Sequence, residues 1–257
     1  MTLDVNQRRS RVVVVLPAYN AANTLADTVS EIDNSVVDEV ILVDDASQDG
    51  TVALAEGMGL VTVRHARNMG YGGNQKTCYR AALTANADIV VMLHPDYQYT
   101  PKLLPAMVAL IDSGLYDIVL GSRILGKGAR RGGMPLYRYV ANRLLTFFQN
   151  VLLREKLSEF HTGYRAFSRR VLAELPLAEN SDDFLFDNQI LGQAIYFGFR
   201  IGEVTCPTRY EPRSSSINVW RSMKYGLGVI WTSMLFLLAK WRFVRPAIFS
   251  PGGRRLI

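Results

Sequence analysis

The sequence predicts an α/β protein with a mainly parallel central sheet and flanking helices. Short apolar runs rich in β-branched residues indicate buried strands, as at residues 12–16 and 40–43. Helical segments separate these runs, so strands and helices alternate over the first half of the chain. The 257 residues are 49% hydrophobic and 20% charged, which excludes disorder and suffices for one large domain or two small ones.

The predicted strands are apolar runs that end at proline, glycine or polar residues. The first is the clearest, because four valines and a leucine precede Pro17. An acidic pair follows the second strand, and Gly121 follows the last. In chain order, the strands cover residues 11–16, 40–43, 60–64, 89–93 and 118–120.

Most of the predicted helices follow a turn with a recognisable composition. Asn23-Thr24 starts the first helix, since residues of this type cap helices well. The second helix follows a turn rich in Ser, Asp and Gly, and the third follows a glycine-rich turn at residues 68–73. The helices cover residues 23–32, 51–58, 74–86 and 101–113.

Basic residues dominate the C-terminal end of a chain whose net charge is +6. No acidic residue follows Glu211. A basic tail around an apolar segment favours a membrane surface with anionic headgroups, and no motif indicates nucleic-acid binding. The basic residues after Glu211 are Arg213, Arg221, Lys224, Lys240, Arg242, Arg245, Arg254 and Arg255.

The apolar segment at residues 226–239 lies between Lys224 and Lys240. It is shorter than the roughly 20 residues needed to span a bilayer. Three tryptophans in and beside the segment suit a helix that lies in the membrane interface, whereas packing on the core or in an oligomer interface is the alternative. These tryptophans are Trp220, Trp231 and Trp241.

Residues 1–11 are polar and do not resemble a signal peptide, which indicates a cytoplasmic location. Cys78 and Cys206 lack any metal-ligand spacing and are expected to be reduced and packed. The histidines are too few and too scattered to indicate a zinc site; they are His65, His94 and His161.

Asp44 and Asp45 come directly after a predicted buried strand. Ligands of open α/β sheets bind outside the carboxyl ends of the strands, so these carboxylates lie where a small molecule would be held. An acidic strand-to-helix turn with a capping residue is the structural alternative.

The glycine-rich turn at residues 68–73 is neither the dinucleotide fingerprint nor a phosphate loop, because the glycine spacing is wrong and the Lys-Ser/Thr pair is missing. Its glycines would allow either close approach of a ligand to the backbone or close packing of the following helix.

Three motifs together resemble glycosyltransferase family 2, and within it the dolichol- and polyprenyl-phosphate sugar synthases. They are Leu-Pro-Ala-Tyr-Asn at residues 16–20, the segment with the double Asp at 43–51 and Arg-Asn-Met-Gly-Tyr-Gly at 67–72. The resemblance covers about residues 12–215 and implies a GT-A fold. It implies a nucleotide-sugar-binding half at residues 1–123, an acceptor-binding half at 124–215 and an apolar, basic helical segment at 216–257.

The resemblance also implies which residues bind the donor. The proline-tyrosine turn and the double Asp hold the nucleotide in this family, and ionised acceptors make strong hydrogen bonds to base N–H groups and ribose hydroxyls. The implied nucleotide-sugar-binding residues are Pro17, Ala18, Tyr19, Asn20, Asp44, Asp45, Asn68, Gly72, Lys76, Pro95 and Asp96.

The family supplies a divalent metal site with an Asp-x-Asp segment followed by Gln, and here His94 replaces the first carboxylate. We expect Asp96 to be the principal ligand, with Gln98 and His94 beside it. Imidazole suits Mn²⁺ better than Mg²⁺, so the sequence predicts a metal-dependent enzyme that prefers Mn²⁺. A packed strand-end histidine is the alternative role of His94.

Basic segments match the family's phosphate-binding positions. The resemblance implies phosphate or acceptor binding by Arg123, Arg138, Arg213 and Ser216, and the predicted catalytic residues are Asp96, Arg123 and Asp187. A hydroxyl acceptor would need a carboxylate as general base, for which Asp187 or Asp183 is the candidate. Asp183 and Asp187 belong to an acidic segment at residues 182–187, which could instead simply start a helix with acidic residues in its first turn.

The implied function is inverting transfer of a hexose from a UDP- or GDP-linked donor to a polyprenyl or dolichyl phosphate, with Mn²⁺ or Mg²⁺ as cofactor. A soluble transferase acting on a hydroxyl acceptor and a non-catalytic nucleotide-sugar-binding protein remain alternatives. The implied location is the cytoplasm, peripheral on the cytoplasmic face of a membrane, with a homo-oligomer possible and no nucleic-acid partner.

Overall fold

A seven-stranded sheet lies at the centre of the computed structural model, which describes residues 9–126, 128–209 and 219–257. Its strands are β1 (Val12–Ala18), β2 (Glu39–Asp44), β3 (Val61–Arg64), β4 (Ile89–Met92), β5 (Ile118–Ser122), β6 (Arg165–Ser168) and β7 (Ile201–Thr205). Its helices are α1 (Leu25–Ser30), α2 (Thr51–Gly57), α3 (Tyr71–Thr84), α4 (Leu104–Asp112), α5 (Gly128–Arg131), α6 (Leu136–Leu153), α7 (Arg169–Glu174), α8 (Phe186–Phe197) and α9 (Val219–Lys240).

The strand order is β3-β2-β1-β4-β6-β5-β7. Among the described strands, β6 alone runs antiparallel, pairing with β4 on one side and β5 on the other. The other pairings are parallel, so β1, β2, β4 and β5 end at the same edge of the sheet. The predicted mainly parallel α/β sheet is confirmed.

Alternate residues of the inner strands build two cores, one on each face of the sheet. Val13 and Val15 of β1 face the side covered by α3 and α8, whereas Val12, Val14 and Leu16 face the side covered by α1 and α4. All are fully buried or nearly so, which explains why the strands have continuous apolar sequences rather than alternating ones.

The helix at the C-terminal end is longer than the sequence predicted. The apolar segment at residues 226–239 lies within α9, which has 22 residues. Residues 221–240 are long and apolar enough to cross a membrane by length and composition, with a mean hydropathy of 1.3, so the expectation of a segment too short to span was wrong. The prediction missed this because Arg221 and Lys224 interrupt the apolar run without interrupting the helix.

Helix α6 buries three uncharged polar side chains, whereas its large apolar side chains face outward. Asn142, Thr146 and Gln149 are buried. The exposed large apolar residues are Leu136, Tyr137, Val140, Leu144, Phe147, Phe148 and Val151. The predicted division into donor and acceptor halves stays a prediction; β6 and β7, from the second half, lie in the same sheet as the first half.

Candidate active site

In open α/β sheets the ligand-binding crevice lies at the carboxyl edge, which here is the edge where β1 lies between β2 and β4. The chain runs from β1 outward to β2 and β3, and returns to β4 on the other side of β1. The strand order therefore reverses beside β1, and ligands of open α/β sheets bind at such a reversal. The ends of β1 and β2 and the segments after β1, β2 and β4 carry most of the nucleotide-sugar-binding residues implied by the resemblance.

The loops after β1 and β2 are joined by hydrogen bonds. The Asn20 amide oxygen accepts from the Gln48 backbone N–H at 2.8 Å, and the Asn20 backbone N–H donates to Ser47 Oγ at 2.8 Å. Asn20 and Ala46 have positive φ angles of 52° and 62°. The two loops form one wall, in which Pro17 and Ala18 end β1 and the Tyr19 side chain is 55% exposed.

The Asp44 carboxylate holds a buried acceptor without a partner. Its Oδ2 accepts from the Ser47 backbone N–H at 3.0 Å, whereas Oδ1 is buried and makes no hydrogen bond with the residues that the structure describes. Asn74 of α3 lies beside the same strand end, because its amide donates to the Val43 carbonyl at 3.0 Å, and its Oδ1 is also buried without a partner. Buried acceptors are normally paired, so these two atoms fit N–H or O–H donors of a ligand.

Asp45 makes a different set of contacts, although it is the next residue. Its Oδ1 accepts from His65 Nδ1 at 2.8 Å and from the Met69 backbone N–H at 2.7 Å, and its Oδ2 accepts from the Gly70 backbone N–H at 3.1 Å. The Asn68 amide donates to the Asp45 carbonyl at 3.3 Å. The Asp45 carboxylate thereby fixes the glycine-rich turn against the strand end.

The glycine-rich turn packs closely against residues 181–182. The Gly72 backbone N–H donates to the Asp182 carbonyl at 2.8 Å. A Cβ on Gly72 would collide with the Ser181 carbonyl oxygen and lie 2.8 Å from Phe186 Cβ. Lys76, one turn further along α3, contacts the Asn180 carbonyl and pairs with Asp182 at 2.8 Å. Of the two alternatives for the glycines, this geometry corresponds to close packing.

The segment after β4 turns sharply beside β1. Asp96 Oδ1 accepts from the Gln98 backbone N–H at 3.1 Å, and Tyr97 between them has a φ of 56°. The Pro95 carbonyl accepts from Thr24 Oγ1 at 2.5 Å, which joins this segment to the start of α1. The turn leaves the Asp96 carboxylate partly exposed at the crevice.

His94 packs against Tyr71 and Gly163. Its ring stacks on the Tyr71 ring with centroids 5.5 Å apart and planes 7° apart, and His94 Nε2 lies 3.1 Å from the Tyr71 hydroxyl oxygen. A Cβ on Gly163 would lie 2.6 Å from Nε2 and 2.8 Å from Cδ2. The Nε2–Cδ2 edge therefore faces the protein, and Nδ1 makes no hydrogen bond with the residues that the structure describes.

The donor set at this turn fits a divalent metal only together with a ligand. Within residues 9–126, 128–209 and 219–257 there is no cluster of three or more His, Cys, Asp or Glu side chains that could hold an ion. His94, Asp96 and Gln98 offer an imidazole, a carboxylate and an amide. Mg²⁺ and Mn²⁺ sites on nucleotides commonly combine one or two protein carboxylates with phosphate oxygens of the nucleotide. Asp96 can provide the carboxylate of such a site.

The Asp187 carboxylate is buried at the start of α8 and is surrounded by donors. Its Oδ2 accepts from the Tyr71 hydroxyl at 2.6 Å, and its Oδ1 accepts from the Gln75 amide at 3.0 Å. Arg165, which is fully buried, lies 3.6 Å from Oδ1. Burial and the adjacent Asp187 carboxylate raise the pKa of Tyr71 well above its usual value, so the phenol stays protonated. Asp183, the other candidate base, is exposed and lies 3.8 Å from Lys224.

Arg123, at the end of β5, forms a buried ion pair with Glu159. Its Nε donates to Glu159 Oε1 at 2.9 Å, and its backbone N–H donates to Oε2 at 3.0 Å. Asn142 of α6 donates to the same carboxylate at 2.8 Å. Burial alone would raise the pKa of Glu159, but the Arg123 guanidinium holds it below its usual value. Part of the Arg123 charge is thus neutralised within the protein.

Of the remaining predicted phosphate-binding residues, the structure describes Arg138. It lies half-buried on α6 over the Tyr137 ring, whereas Arg213 and Ser216 lie outside the described residues. The sequence analysis did not single out Arg209, whose guanidinium lies 5.2 Å from the centre of the Tyr97 ring and whose backbone N–H donates to the Gln98 carbonyl at 3.2 Å. It also missed Tyr71 and Asn74, since neither residue type marks a site without the fold.

Comparison with known proteins agrees with this geometry. The family profile described as glycosyl transferase family 2 matches residues 13–175, more than half of the chain. Polyprenol monophosphomannose synthase of Mycolicibacterium smegmatis is 29% identical over 216 residues, covering 81% of this chain and 80% of that protein. Undecaprenyl-phosphate mannosyltransferase of Micrococcus luteus is 26% identical over 242 residues, covering 91% of this chain and 98% of that protein.

A solved structure shares the fold. Glucosyl-3-phosphoglycerate synthase from Mycobacterium tuberculosis, crystallised with Mn²⁺, UDP and phosphoglyceric acid, has a TM-score of 0.67 and 20% sequence identity, covering 89% of this chain and 78% of that one. At this identity the likeness concerns the fold alone. The resemblance inferred from the three sequence motifs is confirmed, and the chain belongs to glycosyl transferase family 2.

Proposed function

We propose that this protein transfers a hexose from a UDP- or GDP-linked donor to a polyprenyl phosphate. The observation that carries the donor half is the buried, unpartnered Asp44 Oδ1 at the crevice beside β1. A nucleobase N–H would satisfy this atom, and a charge-assisted hydrogen bond of that kind is strong. The exposed Tyr19 ring on the neighbouring loop offers a face for the base or ribose.

The acceptor is inferred from what the site lacks among the described residues. An alcohol acceptor needs a base to remove its proton, whereas a phosphate already carries a nucleophilic anionic oxygen. Both oxygens of Asp187 are engaged by donors, and Asp183 lies at the surface beside Lys224. A phosphate acceptor therefore suits this site better than a hydroxyl acceptor. The similar mannosyltransferase is named for undecaprenyl phosphate, and the similar synthase is named for polyprenol monophosphomannose.

The transfer is a single displacement. An acceptor phosphate oxygen forms a bond to the anomeric carbon, and the bond from that carbon to the nucleoside diphosphate breaks with inversion. His94, Asp96 and Gln98 would hold a divalent metal beside the diphosphate, which when bound stabilises the negative charge of the leaving group. Arg123, which follows β5, contributes a positive charge that its ion pair with Glu159 partly neutralises. Arg209 lies next to Gln98, in the turn after β4.

Donor turnover by the purified full chain tests the proposed function. We would supply Mn²⁺, a panel of UDP-, GDP- and dTDP-sugars, and polyprenyl phosphate, a polyprenol or no acceptor. Release of nucleoside diphosphate only with the lipid phosphate is the expected result, and excess chelator should abolish it. Equal turnover with a hydroxyl acceptor would support the soluble-transferase alternative, and donor binding without turnover would support a non-catalytic binding protein.

We also propose that α6 and α9 dock this enzyme on a membrane. The exposed apolar residues of each helix recur at helical spacing and so share one face. On α9 these residues are Met223, Leu227, Ile230, Trp231 and Met234. A groove between the helices is lined by residues of both, including the exposed Phe148 and Ile230, which makes the two faces neighbours. So large an exposed apolar surface marks an interaction site.

The positive charge of α6 and α9 favours an anionic membrane as the partner of this surface. Residues 136–153 and 219–240 contain no acidic residue but carry five basic ones, which suits a surface of anionic headgroups.

The opposite side of α9 is buried, as at Val229 and Phe236. Beyond α9 the chain returns to the protein, where Ile248 accepts a hydrogen bond from Gln193 of α8. Both features favour a helix lying in the interface over one crossing the bilayer.

Flotation with lipid vesicles tests this docking. The protein should float with vesicles that contain phosphatidylglycerol, and less with neutral vesicles or at high salt. Absence of flotation with either composition would refute the membrane proposal, and a stable dimer in solution that covers the same face would replace it with self-association.

A further inference from the structure

Asp187 anchors a chain of hydrogen bonds that ends at His94. The described acidic partner of the fully buried Arg165 is Asp187, 3.6 Å away, so the carboxylate is ionised and only accepts hydrogen bonds. Its Oδ1 receives the Gln75 amide N–H at 3.0 Å. Its Oδ2 lies 2.6 Å from the Tyr71 hydroxyl, which must therefore be the donor of that bond.

The direction of the hydrogen bond between Tyr71 and Asp187 determines the direction of the one between Tyr71 and His94. A tyrosine hydroxyl has one hydrogen, and the ionised Asp187 carboxylate takes it. The Tyr71 oxygen can then only accept from His94 Nε2, 3.1 Å away. A neutral imidazole that carries its proton on Nε2 has an unprotonated Nδ1 with a free lone pair.

The packing of the ring leaves that lone pair available. Tyr71 and Gly163 lie against the Nε2–Cδ2 edge, so Nδ1 is on the opposite edge. Nδ1 makes no hydrogen bond within the described part of the chain, and His94 is only half-buried. His94 lies two residues before Asp96, at the strand end where the proposed donor diphosphate would sit.

We infer that Tyr71 and Asp187 are positioning residues that hold His94 in the tautomer with an unprotonated Nδ1, so that Nδ1 serves as a metal ligand beside Asp96. This inference rests on the proposed function. It gives Asp187 a role other than that of a general base: it acts on the metal site through Tyr71. Hydrogen-bond partners of this kind fix the orientation and tautomer of ligating histidines.

The tautomer can be observed directly by NMR. A long-range ¹H–¹⁵N spectrum of the histidine side chains distinguishes the two tautomers, and the chain has only three histidines. The His94→Gln variant assigns the His94 signals. At pH 8 without metal, His94 should be protonated on Nε2 in the full-length protein, and Tyr71→Phe should convert it to a mixture. Protonation of His94 on Nδ1 in the unsubstituted protein would overturn the inference, whatever the result with Tyr71→Phe.

Metal affinity tests the second half of the inference. Mn²⁺ binding in the presence of UDP, followed by electron paramagnetic resonance, should weaken by about 10- to 100-fold in Tyr71→Phe, as is typical when a partner of a metal ligand is removed. Tyr164→Phe is the matched control, because Tyr164 follows Gly163 in the chain and its buried hydroxyl makes no hydrogen bond with the described residues. It should leave both the tautomer and the affinity unchanged.

The outcomes separate this inference from the proposed function. A correct tautomer combined with unchanged Mn²⁺ affinity in Tyr71→Phe would overturn the role of Nδ1 as a ligand. If the tautomer and the Mn²⁺ affinity change as expected but no sugar donor is turned over, the inference stands and the proposed transfer reaction fails.

Discussion

Two adjacent aspartates at the end of β2 have different surroundings. Asp45 contacts His65, Met69 and Gly70, so its carboxylate is satisfied by the protein. Asp44 keeps one buried oxygen without a partner. An unpaired buried acceptor costs roughly 1–3 kcal/mol of stability, and binding a donor group would recover that energy. The difference makes Asp44 the residue to test for nucleotide binding.

Asp44→Asn should weaken nucleotide-sugar binding by about 10- to 100-fold, because a hydrogen bond to a charged group contributes about 1.5–3 kcal/mol. The substitution keeps the size of the side chain but replaces one acceptor oxygen by an N–H donor. Isothermal titration calorimetry with the nucleotide-sugar that the enzyme uses as donor measures the loss of affinity. Asp27→Asn, on the exposed side of α1, is the control and should bind normally. Unchanged affinity in Asp44→Asn would remove Asp44 from the site.

His161 links α9 to the segment that ends beside His94. Its Nδ1 lies 2.7 Å from the Tyr225 hydroxyl of α9, and its Nε2 is buried without a partner in the described part of the chain. Burial lowers the pKa of His161 from 6.5 to about 4. The unfolded chain therefore binds a proton below pH 6.5 that the folded protein does not bind until about pH 4.

The free energy of unfolding should consequently fall as the pH is lowered from 6.5 towards 4, by up to about 3 kcal/mol from this residue. Urea unfolding at intervals of half a pH unit measures the slope. His161→Gln keeps a hydrogen-bonding side chain but cannot titrate, so it should flatten the curve in this window. Parallel curves for the two proteins would show that His161 does not titrate between these limits.

At the scale of elements, the start of α3 depends on a close contact between backbones. The Gly72 and Gly73 N–H groups both donate to the Asp182 carbonyl, at 2.8 and 3.2 Å. This contact places Tyr71 against Asp187 at the start of α8. Glycine is required because any Cβ at position 72 would overlap the Ser181 carbonyl.

Gly72→Ala should destabilise the protein by about 1–3 kcal/mol, the usual cost of forcing extra volume into a packed site. Gly57→Ala is a matched control: it lies in the last turn of α2, and a Cβ there would have nothing within 4 Å. It should be neutral or slightly stabilising. Chemical denaturation measures both. Equal stabilities for the two variants would contradict the packing role of Gly72.

The elements of the first half could be predicted because each has a local cause. The apolar runs of β1 and β4 are buried on both faces of the sheet, so sequence alone marks them. Strand β6 has only four residues, including an arginine, and its antiparallel direction depends on pairing with β4 and β5. Helix α6 was not predicted, since its apolar face points away from the core. Long-range contacts, not local sequence, also decide which of Asp44 and Asp45 keeps a free acceptor.

In the whole molecule, the proposed membrane face is connected to the active site. Asn142 of α6 donates to Glu159, which pairs with Arg123 at the end of β5. Tyr225 of α9 contacts His161, and two residues later Gly163 packs against His94. The segment at residues 158–163 therefore contacts both helices of the proposed membrane face and adjoins the site. This arrangement suits an acceptor whose tail stays in the membrane.

Phe147→Asp in α6 should reduce binding to anionic vesicles by about tenfold or more, because it replaces a side chain worth about 1.5–3 kcal/mol of apolar burial by a charge that anionic lipids repel. Leu115→Asp is the matched control. Leu115 is 64% exposed and Phe147 is 62% exposed, but Leu115 follows α4 and lies outside α6 and α9. It should float as the unsubstituted protein does.

Turnover with a soluble short-chain prenyl phosphate should be similar in all three proteins, since the chemistry does not need the bilayer. If both substitutions lowered flotation equally, α6 would not be the docking element.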